Sequence, residues 1–242
     1  MRKVLAVLGA GPGLGLSIAH RFGREGFTVA LVSRSATRHP AYLKDLQGID
    51  AHAYVADVRD PTALRAVLAA ITADLGPIDT VYFGPVSADG GGPVPITEAD
   101  AATIGAKIES LVLPAIDLVD AVLPDLLARN TGTILIPGGL SGKYPIPMLG
   151  ALAPASAALR MYVLTLNAAL KDTGVHAATL TIGGLIEGGD IHTTATRAYP
   201  TADLPTLDPV AIADAAWAMY TARDLPEREF NALQEVSRST SS

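Results

Sequence analysis

Glycine recurs at alternate positions in Gly9-Ala10-Gly11-Pro12-Gly13-Leu14-Gly15, between an apolar run at 4–8 and an Ala/Leu-containing stretch at 16–25. Glycines turn tightly and let the main chain come close to a phosphate. The N–H groups at a helix start, with their aligned dipoles, then stabilise the anion. Strand, turn and helix in that order predict a dinucleotide-binding turn; the alternative is a glycine-rich strand-to-helix turn that holds no ligand. The second apolar run, 28–32, ends in Ser33-Arg34-Ser35. An acid there would meet ribose hydroxyls, as suits NAD(H). Arg34 instead can form a charge-assisted fork with a 2′-phosphate, Ser33 can donate a hydrogen bond and Arg38 follows in the next turn. The expected cofactor is therefore NADP(H) in preference to NAD(H). Stacking of Arg34 on adenine, or an Arg34 that is merely solvated, are the other readings.

Groups able to move a proton are sparser. Ser141, Lys143 and Tyr144 follow the apolar run 133–136, and ligand sites in parallel sheets lie beyond the carboxyl ends of strands. Lys143 can lower the pKa of Tyr144 electrostatically, and Ser141 can orient a carbonyl. For Tyr144, a direct acid, a wall of the substrate pocket and an ordinary loop aromatic all remain open. His192, in Glu187-Gly188-Gly189-Asp190-Ile191-His192-Thr193-Thr194, has a near-neutral pKa and can serve as acid, base, substrate contact or surface residue. Glu187 and Asp190 read as solvated or capping carboxylates. No metal site is expected, because the five histidines (20, 39, 52, 176 and 192) have no ligand spacing and cysteine is absent.

Short apolar runs at 4–8, 28–32, 51–55, 80–83, 133–136 and 177–182 alternate with helical stretches. Several are apolar at nearly every position, as when helices cover both faces of a parallel sheet. The expected fold is α/β: a three-layer, Rossmann-like, doubly wound and mostly parallel sheet of about seven strands, forming one domain over 1–242. A long helix is expected at 98–128, with Pro114 kinking or dividing it. A second apolar helix is expected at 153–170, and pairing of two copies through these helices predicts a homo-oligomer, as a homodimer, with burial inside a single copy as the other reading. Residues 240–242 are expected to fray. Composition narrows the function classes. The 242 residues carry 18 Lys+Arg against 24 Asp+Glu, a charge of −6, with 49% hydrophobic and 17% charged residues. An acidic, core-rich chain fits neither a disordered segment nor a nucleic-acid or membrane binder, so a small-molecule substrate and a cytoplasmic location are expected.

The order of these motifs resembles the short-chain dehydrogenase/reductase family over roughly residues 3–236. Gly9, Gly13 and Gly15 match its three glycines, and Ser33-Arg34 matches an NADP-type end of the second strand. The resemblance implies that Asp57 and Val58 hold adenine, with a loop or cap carboxylate as the alternative for Asp57. It also implies that Gly84 and Pro85 line the cofactor cleft and that 185–207 covers the substrate. The fourth-strand signature is altered here to Phe83-Gly84-Pro85-Val86, and the usual Pro-Gly after the sixth strand to Gly183-Gly184. The family's Ser, Tyr, Lys and Asn fall by spacing on Gly139, Leu152, Ser156 and Leu111, none of which does that acid–base work. The expectation is an atypical NADP(H)-dependent oxidoreductase acting on a carbonyl, alcohol or activated alkene. A non-catalytic NADP-binding regulatory or structural protein, and a non-redox cyclase, isomerase or lyase, are the alternatives.

Overall fold

The computed structural model describes residues 2–85 and 92–233. Val86 and the expected frayed end at 240–242 lie outside the described residues. In chain order the elements are β1 (Val4–Leu8), α1 (Leu14–Arg24), β2 (Thr28–Ser33), α2 (His39–Asp45), β3 (Ala51–Val55), α3 (Pro61–Leu75), β4 (Ile78–Phe83) and α4 (Ala101–Lys107). They continue through a π-turn (Ile108–Val112), α5 (Leu113–Ala128), β5 (Gly132–Leu135), β6 (Gly138–Gly139) and α6 (Ala153–Ala169). The last are β7 (Val175–Gly183), β8 (Leu185–Ile186), α7 (Asp190–Ala198), β9 (Thr206–Leu207), α8 (Pro209–Ala222) and β10 (Glu227–Asn231).

The main sheet runs β10-β7-β5-β4-β1-β2-β3, with β6 also beside β7, and its strand pairs are parallel. The chain winds outward from β1 to β3, then returns to place β4 on the other side of β1. That reversal opens a crevice at the carboxyl ends of β1 and β4. The alternation of side chains along a strand fills two cores. Val4, Ala6 and Leu8 pack beneath α3, α5 and α6, while Leu5 and Val7 pack toward α1 and α8. Phe22, Phe27, Trp217 and Tyr220 close the second core as edge-to-face and stacked rings. Trp217 and Tyr220 are thus packing residues.

The stretch 98–128 is divided close to Pro114, as expected, and begins at Ala101: α4 passes through the π-turn into α5, where Leu113 N–H bonds Ile108 C=O. Pro114, at the first turn of α5, has no N–H to give and sits where a helix start needs none. In the proline-containing surface segment 201–209, Thr206–Leu207 pairs with Leu185–Ile186 as a separate two-stranded sheet. Asp60 and Asp208, each followed by proline, cap α3 and α8 through the N–H groups of Thr62 and Val210. Among the described residues no helix is long and apolar enough to cross a membrane, and no three potential ligands gather around a metal position.

Candidate functional site

The glycine turn is tied down by backbone bonds on both sides. Gly9 N–H and Ala10 N–H both donate to Val32 C=O at 3.0 and 2.9 Å, and Gly84 N–H donates to Leu8 C=O at 2.9 Å. Gly9 has φ +87°, and a Cβ there would sit 2.5 Å from Pro85 N, so only glycine fits both backbone and space. At Gly13 a Cβ would lie 3.1 Å from Gly189 Cα and 3.0 Å from Ile186 Cγ2. Helix α1 starts directly after Gly13 without a side-chain cap, leaving its first N–H groups available to an anion.

Beside the turn lies a cavity of about 640 Å³. Its walls include Gly9, Gly11, Ser33, Arg34, Asp57, Val58 and Pro85 from the residues singled out in the sequence. Pro12, Gly13, Leu14, Gly15 and Gly84 stand outside that wall; Gly13 and Gly15 act through close packing, with a Cβ at Gly15 only 3.2 Å from Gly9 O. The cavity also takes in Ser35, Thr37, Arg38, Tyr42, Arg59 and, from α7, Asp190, Thr193, Thr194 and Arg197. Four arginines against two aspartates make this end cationic. Ser33 Oγ lies 3.0 Å from Ser35 O and 2.6 Å from the Nε2 of buried His39. With Ser33 donating to Ser35 and His39 donating to Ser33, the end of β2 is held in place by its own hydrogen bonds. Asp57 does not cap α3, which Asp60 does. Its carboxylate accepts from Arg59 at 2.7 and 3.0 Å, and that bond holds it below the usual carboxylate range.

The segment between the short strands β8 and β9 carries α7. Leu185 N–H donates to Pro205 O at 2.8 Å and Glu187 N–H to Leu207 O at 3.0 Å, which closes the segment at its base. From there α7 reaches the cavity, where Arg38 Nη1 bonds both Asp190 oxygens at 3.0 and 2.7 Å. This hydrogen bond, aided by Tyr42, holds the Arg38 guanidinium above its ordinary pKa. His192 is half-buried on α7 and does not line the cavity; its neighbours Thr193 and Thr194 do. Asp190 is an ion-pair partner rather than a solvated carboxylate, and Glu187 accepts from Thr206 at 2.9 Å.

A second polar group forms near Gly139, where a Cβ would meet Ser156 Oγ at 3.0 Å and Ser141 Oγ at 3.5 Å. Both serines are buried. The main chain at Gly142 sits tightly on α6 at Ser156, with 2.5 Å from a would-be Cβ to Ser156 C, so the two hydroxyls are held by backbone packing. Spacing pointed to Ser141 but not to Ser156 as a donor. Leu152 precedes α6, and Leu111 lies in the π-turn. Lys143 and Tyr144 turn elsewhere: both reach Glu229 Oε2, at 2.8 and 3.2 Å, and neither lines the cavity. Arg160 holds Glu227 through two bonds of 2.7 and 2.6 Å, and Thr181 donates to the same carboxylate at 2.6 Å. Tyr82 and Phe83 are buried in the two cores.

Comparison with known proteins places these features among relatives. Residues 3–195 match the family described as short chain dehydrogenase. Sulfoacetaldehyde reductase from Chromohalobacter salexigens is 27% identical over 185 residues, covering 76% of this chain and 72% of its own. An NADP-dependent 3-hydroxy acid dehydrogenase from Salmonella typhi is 28% identical over 180 residues, covering 74% and 71%. Among solved structures, a variant of actinorhodin polyketide ketoreductase with NADPH superimposes with a TM-score of 0.84 at 20% identity, covering 96% of each chain. An NADPH-bound short-chain oxidoreductase from Pseudomonas aeruginosa PAO1, with an atypical catalytic centre, gives 0.81 at 21% identity, again covering 96% of each.

Proposed function

The chain belongs to the short-chain dehydrogenase family, and on that premise we propose that it is an atypical NADP(H)-dependent oxidoreductase of small carbonyls, alcohols or activated alkenes. The arginine-lined cavity beside the glycine turn carries this reading. Arg34 and Arg38 stand where β2 ends, with the hydroxyls of Ser35 and Thr37 beside them. That donor set suits a phosphate monoester better than a bare ribose. The turn at Gly9–Gly15 and the start of α1 hold the pyrophosphate, and Val58 lies against adenine. NADP-binding proteins among the relatives and structural neighbours support the choice.

Bound nicotinamide supplies or accepts the hydride. This chain's residues orient the substrate and bring the proton. Ser141 and Ser156, buried beside Gly139 and outside the cavity wall, are the hydroxyls assigned to a substrate oxygen, which requires the substrate to reach past that wall to Gly139. Neither is an acid near neutral pH, so water delivers the proton through them. The segment 185–207 covers the substrate, the chain forms one domain over 1–242, and two copies pair through 98–128 and 153–170. A second reading, a binding protein without turnover, is favoured by one observation: Gly139, Leu152 and Ser156 stand where the family's Ser, Tyr and Lys fall by spacing. Nucleotide titration followed by a carbonyl panel, monitored by NADPH absorbance, separates the two. The proposal expects NADPH to bind more tightly than NADH and to be consumed with some carbonyl. Tight binding without consumption establishes the second reading, and equal affinity for both nucleotides overturns the role given to Arg34.

A further inference from the structure

The Arg38–Asp190 pair joins segments 152 residues apart and spans the cavity mouth. On one side is the turn after β2, fixed by the Ser33–His39 and Ser33–Ser35 contacts. On the other is α7, a nine-residue helix with no buried residue. Such a helix gains little from apolar burial where it lies. Its segment is anchored at the base by the β8–β9 pairing and by the close approach of Gly189 to Gly13. At the cavity mouth the attachment is the ion pair.

The chemistry of that attachment matches the ligand the cavity is built for. Two oxygens of one carboxylate share the Nη1 of Arg38, much as two oxygens of a phosphate monoester do. Asp57, the other acid in the wall, is already held by Arg59. We infer that Asp190 is a specificity-determining residue: its carboxylate occupies Arg38 in place of a 2′-phosphate, and an incoming 2′-phosphate displaces it and releases α7. The inference rests on the NADP(H) reading of the cavity and adds what that reading lacks, a link between cofactor identity and the cover. A phosphate monoester carries about −1.5 to −2 charges at neutral pH. It therefore outcompetes a single carboxylate for Arg38 and repels that carboxylate once bound. The exchange is feasible because both partners are half-exposed, at 54% and 50%, and exposed pairs are weak. A nucleotide without the 2′-phosphate leaves the pair intact and α7 in place.

The test uses adenosine 2′,5′-bisphosphate and adenosine 5′-monophosphate, which differ in the relevant phosphate and carry no nicotinamide. Asp190→Asn is expected to tighten the bisphosphate about two- to fivefold, the strength of an exposed pair, and leave the monophosphate unchanged. In an Arg38→Met background Asp190→Asn should change neither. Hydrogen exchange across 190–198 gives a second readout. It should be slow in the free protein and with the monophosphate, and faster in free Asp190→Asn and in wild type with the bisphosphate. Equal bisphosphate affinity in wild type and Asp190→Asn, or exchange that ignores both mutation and 2′-phosphate, overturns the inference while leaving NADP(H) use standing. Failure of wild type to bind the bisphosphate in preference to the monophosphate overturns the cofactor reading instead. Because Asp190 is exposed, an unchanged circular dichroism spectrum confirms that the variant is folded.

Discussion

The crevice between β1 and β4 and the edge formed by β7 and β10 treat charge differently. In the crevice, arginines from three separate segments, the ends of β2 and β3 and helix α7, line a cavity and outnumber the acids beside them. At the edge, two cations are matched within the chain: Lys143 to Glu229, and Arg160 to Glu227. Those bonds hold both glutamates below the usual carboxylate range and raise Lys143 and Arg160. The crevice pairs its acids as well, Arg38 with Asp190 and Arg59 with Asp57, and differs from the edge in holding more arginines than acids around one cavity. That difference also explains why polar residues alone do not mark a site. The edge is as rich in them as the crevice, yet its donors are spent holding β10 and the 140–144 segment in place.

The comparison breaks most visibly at Gly9. Gly9→Val is expected to cost about 2–5 kcal/mol, roughly 1–2 from the left-handed backbone and roughly 1–3 from overpacking against Pro85, and to abolish nucleotide binding. Thermal denaturation and NADPH titration check both parts, and a variant that binds normally would show that the turn is architecture alone. The next largest effect belongs to Arg34. Arg34→Ala should weaken NADPH by roughly 10- to 100-fold, as expected for a lost charge-assisted contact, with NADH unchanged and the melting temperature near wild type. An equal loss for both nucleotides would place Arg34 against adenine.

At the edge the same kind of change should move stability and leave binding alone. Glu227→Gln removes the acceptor for Arg160 and Thr181 and is expected to cost about 1–3 kcal/mol. Titration sharpens this. Glu227 is depressed in the folded chain, so its stabilisation is complete above its unfolded value of 4.5 and is lost as pH falls through the lower folded value. His176, on β7, is buried with neither ring nitrogen in a well-formed hydrogen bond, and burial lowers its pKa against a weaker opposing contact with the Leu225 backbone. The unfolded chain therefore takes up that proton first, and stability starts to fall as pH drops through 6.5. Melting temperature against pH should decline in two steps. His176→Leu should remove the upper step, and Glu227→Gln should reduce the lower. A flat profile from pH 7 to 5 would deny the buried imidazole its role.

Legibility in the sequence follows how local the cause is. The turn from Gly9 to Gly15 can be read because its glycines answer to neighbours a few residues away, and Arg34 because it ends a recognisable strand. The apolar runs of β1 and β2 announce strands covered on both faces. β10, Glu-Arg-Glu-Phe-Asn, has no apolar period to read, since it is an edge strand whose carboxylates find partners 67 and 86 residues away. The same distance hid the Arg38–Asp190 pair. Ser156 was passed over because only the packing of Gly142 on α6 brings it to Ser141. Asp60-Pro61 is a local signal for α3 of the same kind as the Asp208-Pro209 start of α8, yet the cap expected in that stretch was Asp57, three residues too early.

The smallest expected effect falls on Tyr144, the residue where the two regions are most easily confused. Its hydroxyl donates to Glu229, Lys143 Nζ lies 5.5 Å from its ring centroid, and the side chain is 40% exposed. Adjacent Lys and Tyr look like an acid and its activator, but here they share one carboxylate, which draws the phenol proton toward Glu229 instead of the cavity. Tyr144→Phe should therefore lower stability by about 0.5–1 kcal/mol, the net worth of one partly exposed hydrogen bond, and leave kcat and NADPH affinity unchanged. General acid catalysis is worth roughly 10²- to 10⁴-fold. A fall in kcat of that size, with normal nucleotide affinity and melting temperature, would move Tyr144 from the closed edge to the reacting site. It would also require the 140–144 segment to turn away from Glu229 when substrate binds, and Glu229→Gln would then be expected to raise the rate.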